Sequence, residues 1–191
     1  MDYKTIVFAG PSAIGKTYIA EQLISLFPDK FEQAKLYTTR PQRTGEIATD
    51  RIFLTTSEFD SMVNNSEFLV HSEFGGNMYG FASDSLYPKN KHLLVNAWPW
   101  LIPQFYKIKH VIIVGMQPPT DYLKLLESRM SSRGDSRETI TKRLELIARD
   151  KDDLEKYFAL VKKSGAYFII EDDETVPEQI IPWITKLLGI N

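Results

Sequence analysis

The 191-residue chain contains no cysteine, which excludes disulfides, thiol nucleophiles and thiolate metal sites. Histidine is scarce, and His71, His92 and His110 are scattered without the short spacing of a zinc-ligand set. Excess charge is also lacking: 25 acidic against 23 basic residues leave a formal net charge of −2. A broad nucleic-acid or membrane-facing surface is therefore not expected, and any anion must be held by a local cluster. No apolar run approaches the ~20 residues of a membrane-spanning helix. The first strand-like run starts at Thr5, which leaves no room for a signal peptide. These absences lead to the expectation of a cytoplasmic protein that binds neither nucleic acid nor membrane. What remains is an ordinary globular composition, 43% apolar and 25% charged, in a chain long enough for one core with a small inserted lobe.

Gly10, Pro11, Ser12, Ala13, Ile14, Gly15, Lys16 and Thr17 complete the pattern G-x-x-x-x-G-K-[ST]. The apolar run Thr5–Ala9 before them reads as a buried strand, and Tyr18 to Phe27 after them reads as a helix. That strand–loop–helix setting is what a phosphate-binding loop requires. Its glycines let the backbone wrap a phosphate chain, and the helix N-terminus adds amide donors and the positive end of a dipole. The pattern assigns Lys16 to the β and γ phosphates of a nucleoside triphosphate and the Thr17 hydroxyl to Mg²⁺.

Further apolar runs at Lys91–Val95, His110–Val114 and Ala166–Ile170, with a shorter one at Ala34–Tyr37, bring the count to five β segments separated by helical stretches. Continuous apolar strands between helices predict an α/β fold with a parallel five-stranded sheet covered on both faces. Ligands of such sheets sit beyond the carboxyl ends of the strands, where the phosphate loop already lies. Thr120 is the expected N-cap of a helix carrying Leu123, Leu125, Leu126 and Met130. A second helix is expected to carry Ile140, Leu144, Ile147 and Leu154, and a last one to start between Pro177 and Pro182. The stretch from about Thr38 to Tyr87, rich in Thr, Ser, Phe and Gly, reads as an inserted α+β lobe with two or three small strands.

The lobe opens with Thr38-Thr39-Arg40-Pro41-Gln42-Arg43-Thr44-Gly45-Glu46, and two arginines three apart can converge on one phosphate. Phe74 to Gly80 follows in the same lobe, and Pro118-Pro119-Thr120, Arg129, Arg133-Gly134, Ile140 and Arg143-Leu144 come later. In this order the segments resemble the guanylate kinase family: its G-P-S-G-x-G-K-[ST] loop, its T-T-R-x-x-R-x-G-E and F-x-G-N-x-Y-G motifs, and its P-P-S, R-L-x-x-R-G and I-x-x-R-L lid. The resemblance implies a single domain, with a core at 1–37 and 88–191, an acceptor lobe at about 38–87 and a helical lid at about 129–145. It also implies that Arg40, Arg43 and Tyr79 grip the phosphate of a small phosphorylated acceptor, with Thr38 among the acceptor-binding residues. Arg133 and Arg143 would close onto the transferring phosphoryl as catalytic residues beside Lys16. ATP and Mg²⁺ are the implied cosubstrate and ion, and a monomer or homodimer the implied assembly.

The departures from the family fall on acceptor choice. Counting nine residues back from Tyr79, where guanylate kinases carry the Glu that takes the guanine N–H groups, gives Val70. The family's Ser after Tyr-Gly is Phe81, and its phosphate-binding Tyr before the motif Phe is Arg51. At the strand end, Leu94-Val95-Asn96-Ala97 lacks the family's aspartate pair, so that Asn96 is the polar group left to meet the acceptor. Glu171-Asp172-Asp173 stands where the family has N-[DE] beside adenine. A sister branch, the ribose 1,5-bisphosphate phosphokinases, is similar in carrying an apolar residue at the Glu position, a Leu-Val-Asn segment and a following Leu-Pro-Gln, here Ile102-Pro103-Gln104. A phosphorylated nucleoside and a base-free sugar phosphate therefore both stand as acceptors. A third reading is a non-catalytic phospho-ligand module, but such domains typically lack the loop lysine and lid arginines that this chain keeps.

Overall fold

A computed structural model describes residues 2–42, 50–118, 122–132, 134–149, 151–162, 166–170 and 176–190. Five consecutive buried residues, Thr5–Ala9, form β1, and the phosphate loop leads from it into α1 (Lys16–Leu26). β1 lies at the centre of a sheet with β2 (Phe31–Gln33), β7 (His92–Ala97), β8 (Val111–Gln117) and β9 (Tyr167–Ile169), in the order β2-β7-β1-β8-β9. Every pairing in it is parallel. Alternating residues serve two cores. Ile6, Phe8, Leu94 and Val114 pack with Ile19 and Leu23 of α1 and with Ile181 and Ile184 of α8 (Ile181–Leu188). Val7, Val95 and Ile113 face Leu126, Ile140 and Phe158, which come from α5 (Tyr122–Ser132), α6 (Arg137–Arg149) and α7 (Lys151–Lys162). Burial on both faces explains why these strands read as unbroken apolar runs.

A second sheet, ordered β4-β3-β6-β5, follows β2: β3 (Leu36–Thr38), β4 (Arg51–Phe53), β5 (Phe68–Phe74) and β6 (Asn77–Ala82). β3 and β4 run parallel, and the other pairs are antiparallel. Phe74 pairs with Asn77 across Gly75 and Gly76, whose φ values of 60° and 75° suit a two-residue hairpin that needs positive φ at both central positions. α2 (Thr56–Asn64) starts on a capping box between Thr55 and Glu58, and its Phe59 is stacked on Phe68 of β5. α3 (Ser83–Leu86) and α4 (Ile102–Phe105) are single turns that return the chain to the main core.

The structure corrects four expectations. The segment Ala34–Tyr37 is not a strand of the parallel sheet: Phe31–Gln33 takes that edge, and Leu36–Thr38 belongs to the second sheet. The two short strands are separated only by Ala34 and Lys35, and Ala34 still donates to Leu94 O at 2.9 Å. Among the described residues the second sheet has four strands rather than two or three. The helix expected to carry Ile140 to Leu154 is described as α6 and α7, with residue 150 between them outside the described residues. The first helix begins at Lys16 rather than Tyr18, and Pro177 lies within a π-helical turn, Val176–Ile180, that runs into α8. Thr120 lies outside the described residues. Among the described residues no helix is long and apolar enough to cross a membrane.

Candidate active site

The phosphate loop is fastened at both ends. Gly10 donates to Ala97 O at 3.2 Å, and a Cβ on Gly10 would stand 2.7 Å from Met116 O, so only glycine fits between β7 and β8. Ile14 is fully buried against α1 and anchors the far side. No side chain caps the N-terminus of α1, which leaves its first amides to a bound anion. Lys16 Nζ donates to Gly10 O at 2.7 Å and Pro11 O at 2.6 Å, inside the curve of the loop. The Thr17 residue is exposed beside it. Ala13 adopts φ 63°, the left-handed region that glycine prefers, and its carbonyl accepts from Arg129 Nη1 at 3.3 Å. Arg129 of α5 therefore touches the loop directly. Sequence reasoning quoted it within a motif but gave it no part in the site, although its place four residues before Arg133 was a usable signal.

From β3 onward the second sheet contributes the other group. Thr38 is fully buried, and its Oγ1 accepts from Arg40 N at 3.1 Å, so its hydroxyl shapes the turn that carries the arginine. The Arg40 guanidinium donates to Pro41 O at 2.7 Å and lies 5.6 Å from the Phe53 ring centroid. Thr39, which sequence reasoning did not single out, bonds Met78 through both its backbone N–H and its Oγ1. Arg51 pairs with its neighbour Asp50 at 3.3 Å. Tyr79 lies opposite Thr38 in the β3–β6 ladder and meets Trp98 edge-on at 4.9 Å. Burial, aided by the Asp84 and Glu67 carboxylates, pushes the nearby Tyr37 phenol above its ordinary value.

Trp98 joins the two sheets, because it directly follows Ala97, the acceptor of the Gly10 N–H. Trp98 and Trp100 stack with centroids 5.5 Å apart and planes within 9°, and Phe74 packs on both at 4.9 and 5.3 Å. Beside this panel Val70 and Phe81 are direct partners in the β5–β6 ladder, only 0% and 4% exposed, and Phe81 packs on Phe105 of α4. Both belong to the main hydrophobic core. Asn96 lies opposite Phe8 at the carboxyl end of β7, and its Oδ1 is buried without a hydrogen-bond partner. Ser72 Oγ on β5 is buried unpaired as well. On α6, Arg143 forms an ion pair with Asp135 at 3.1 Å, with side chains 19% and 11% exposed. Arg43 and Arg133 lie outside the described residues, as do the Gly45-Glu46 pair and the Glu171-Asp172-Asp173 segment.

The site thus gathers the phosphate loop, Arg129, Trp98 and Tyr79 through one chain of contacts at the carboxyl end of the parallel sheet. The guanylate kinase family model matches residues 2–166. Guanylate kinases of Streptococcus pyogenes serotype M3 (strain MGAS315) and serotype M18 (strain MGAS8232) are each 30% identical over 198 residues, spanning 97% of this chain and 93% of theirs. The crystal structure of guanylate kinase from Anaplasma phagocytophilum superposes with a TM-score of 0.66 at 22% identity, covering 96% of this chain and 86% of that one. Its likeness carries the P-loop kinase fold, and the family match over most of the sequence carries the rest: the chain belongs to the guanylate kinase family and is an ATP-dependent kinase.

Proposed function

We propose that the chain moves the γ-phosphoryl of ATP to the phosphate of a small acceptor, a nucleoside monophosphate such as GMP, with little selectivity for guanine. The observation that carries this reading is the pairing of an intact phosphate loop with an acceptor corner made of hydrocarbon. Val70 and Phe81 are packed into the core where the family's resemblance calls for Glu and Ser. A base N–H brought there finds no acceptor, and an unmade buried hydrogen bond costs about 1–3 kcal/mol.

In this reading Lys16 leaves the Gly10 and Pro11 carbonyls for the β and γ phosphates, which offer it more negative charge. The exposed Thr17 hydroxyl at the start of α1 fits a Mg²⁺ ligand, with phosphate oxygens and water completing the set, since Val95 and Ala97 supply no carboxylate. The ion would neutralise phosphate charge as transfer proceeds. Arg40, Arg43 and Tyr79 hold the acceptor phosphate, with Arg51 as a further cation on the same sheet. Arg133 and Arg143 come from a lid at about 129–145, and Arg143 exchanges Asp135 for the transferring phosphoryl on closure. The core at 1–37 and 88–191 and the acceptor lobe at about 38–87 are the parts that close.

The same corner favours a second acceptor: a base-free sugar phosphate, as in the ribose 1,5-bisphosphate phosphokinase branch, needs no group to read a base. A phosphoryl-transfer screen with Mg-ATP against GMP, dGMP, AMP, CMP, UMP and ribose 1,5-bisphosphate separates the two. Comparable turnover of GMP and other nucleoside monophosphates supports the first reading, and transfer to the bisphosphate alone supports the second. Strict guanine selectivity, or no transfer to any of them, overturns both.

A further inference from the structure

Between Asp84 and Asp121 the chain has no acidic residue but four lysines, Lys89, Lys91, Lys107 and Lys109, although acids outnumber bases overall. Lys107 and Lys109 flank Ile108 in the turn from α4 to β8. With Leu69 and His71 of β5, Tyr87 and His110, they line a groove of about 710 Å³. The groove lies before the first residue of β8, whereas the phosphate loop lies beyond the carboxyl end of the adjacent β1. At ~3.3 Å per residue the seven residues of β8 put about 20 Å between those two ends of the sheet.

The groove is organised rather than merely basic. Gln104 accepts from His71 N and donates to His71 O, both at 3.1 Å, so its side-chain amide acts as a strand partner and pins the edge of the second sheet to α4. His110 Nε2 donates to Leu86 O at 2.7 Å, which fixes the orientation of the ring at the edge of the groove. Tyr87 packs on the His110 ring at 4.5 Å and is half exposed, presenting an aromatic surface at the rim. Lys107 and Lys109 are both exposed, and no acidic side chain among the described residues pairs with either. The Asp2 carboxylate, close enough to feel His110, is itself bonded to Lys4, which does most to hold it below its ordinary range.

We propose that this groove is a second anion site, separate from the phosphate loop, that takes the phosphate of a small phosphorylated metabolite. Lys107 and Lys109 can hold one phosphate with charge-assisted bonds, the His71 and His110 rings line the same groove, and Tyr87 can cover an apolar or planar portion of the same molecule. Because β5 and the turn before β8 form opposite walls, an occupant would bridge the second sheet and the main core. The inference is independent of the acceptor's identity.

Histidine NMR tests it, since His71 and His110 line the groove while His92 is buried elsewhere and accepts from Lys4 N. Inorganic pyrophosphate is titrated into the full chain while the imidazole C–H signals are followed. The expected result is saturable movement of the His71 and His110 signals with a midpoint below about 1 mM, and none for His92. Lys107→Ala with Lys109→Ala, both exposed positions, should raise that midpoint at least about tenfold and leave phosphoryl transfer unchanged. Lys16→Ala should leave the midpoint where it was. Signals that stay still up to about 10 mM, that move equally in the double variant, or that lose their response with Lys16→Ala overturn the proposal.

Discussion

The two sheets solve different problems. The parallel sheet ends in a loop that offers uncapped backbone amides and one lysine, so in the proposed function its chemistry depends on chain path. The second sheet offers side chains: Arg40 on a turn, Tyr79 in a ladder, Val70 and Phe81 at a corner. A site built from backbone keeps its chemistry as long as the path is kept, whereas one built from side chains changes its ligand with a few substitutions. Here the loop departs from the family's motif only at Ala13, and the second sheet differs from the family at Val70, Phe81 and Arg51.

The largest expected effect is on the first side. Lys16→Ala should lower kcat by about a thousandfold or more, because the transferring phosphoryl loses its fixed positive charge. The Lys16 ammonium bonds two carbonyls of its own loop, so the melting temperature should move by no more than a few degrees. Steady-state kinetics with a thermal melt checks both, and near-normal turnover in a folded variant would remove the loop from the mechanism. On the second side, Arg40→Ala should raise acceptor KM about 10- to 100-fold and spare ATP KM, the scale of one lost charge-assisted contact. If ATP KM rises instead, Arg40 serves the donor and the division between the sheets fails.

The same division decides what could be read from the chain alone. The phosphate loop was legible because it needs particular residues at fixed spacing, and β1 and β8 because burial on both faces leaves an unbroken apolar run. Phe31–Gln33 and Leu36–Thr38 were not separable, since two three-residue strands with a two-residue link have no period of their own. The panel of Phe74, Trp98 and Trp100 joins segments more than twenty residues apart, and nothing local announces such a contact. The Arg143–Asp135 pair was hidden for a similar reason: each residue has a local explanation, and only the turn between α5 and α6 brings them to 3.1 Å.

A smaller effect probes the hydrocarbon corner. Val70→Glu with Phe81→Ser should shift selectivity toward GMP over AMP by about tenfold or more, supplying acceptors for the base N–H groups. The gain comes with a loss: Val70 is fully buried and Phe81 packs on Phe105, so the pair of changes should cost several kcal/mol of stability. Competition assays and denaturant titration read the two separately. Unchanged selectivity in a folded variant would mean that the corner does not face the base, and the contrast between the sheets would then rest on Arg40 and Arg51 alone.

The smallest effect sharpens the claim that the phosphate loop is a matter of backbone. Ala13 holds φ 63°, a conformation that costs a non-glycine residue about 1–2 kcal/mol, and its carbonyl is used by Arg129. Ala13→Gly removes that cost and keeps the carbonyl, but it loosens the unfolded chain by about 0.4–1 kcal/mol. The methyl group also packs at the edge of the main core, and its loss subtracts further from the gain. The net expectation is a stabilisation of about 0.5 kcal/mol, or one to two degrees in Tm for a domain of this size. ATP KM should change by less than about threefold, because the amides that meet the phosphates are unaltered. A loss of about 1 kcal/mol or more would show that the Ala13 side chain, rather than the path of the loop, is what holds this turn.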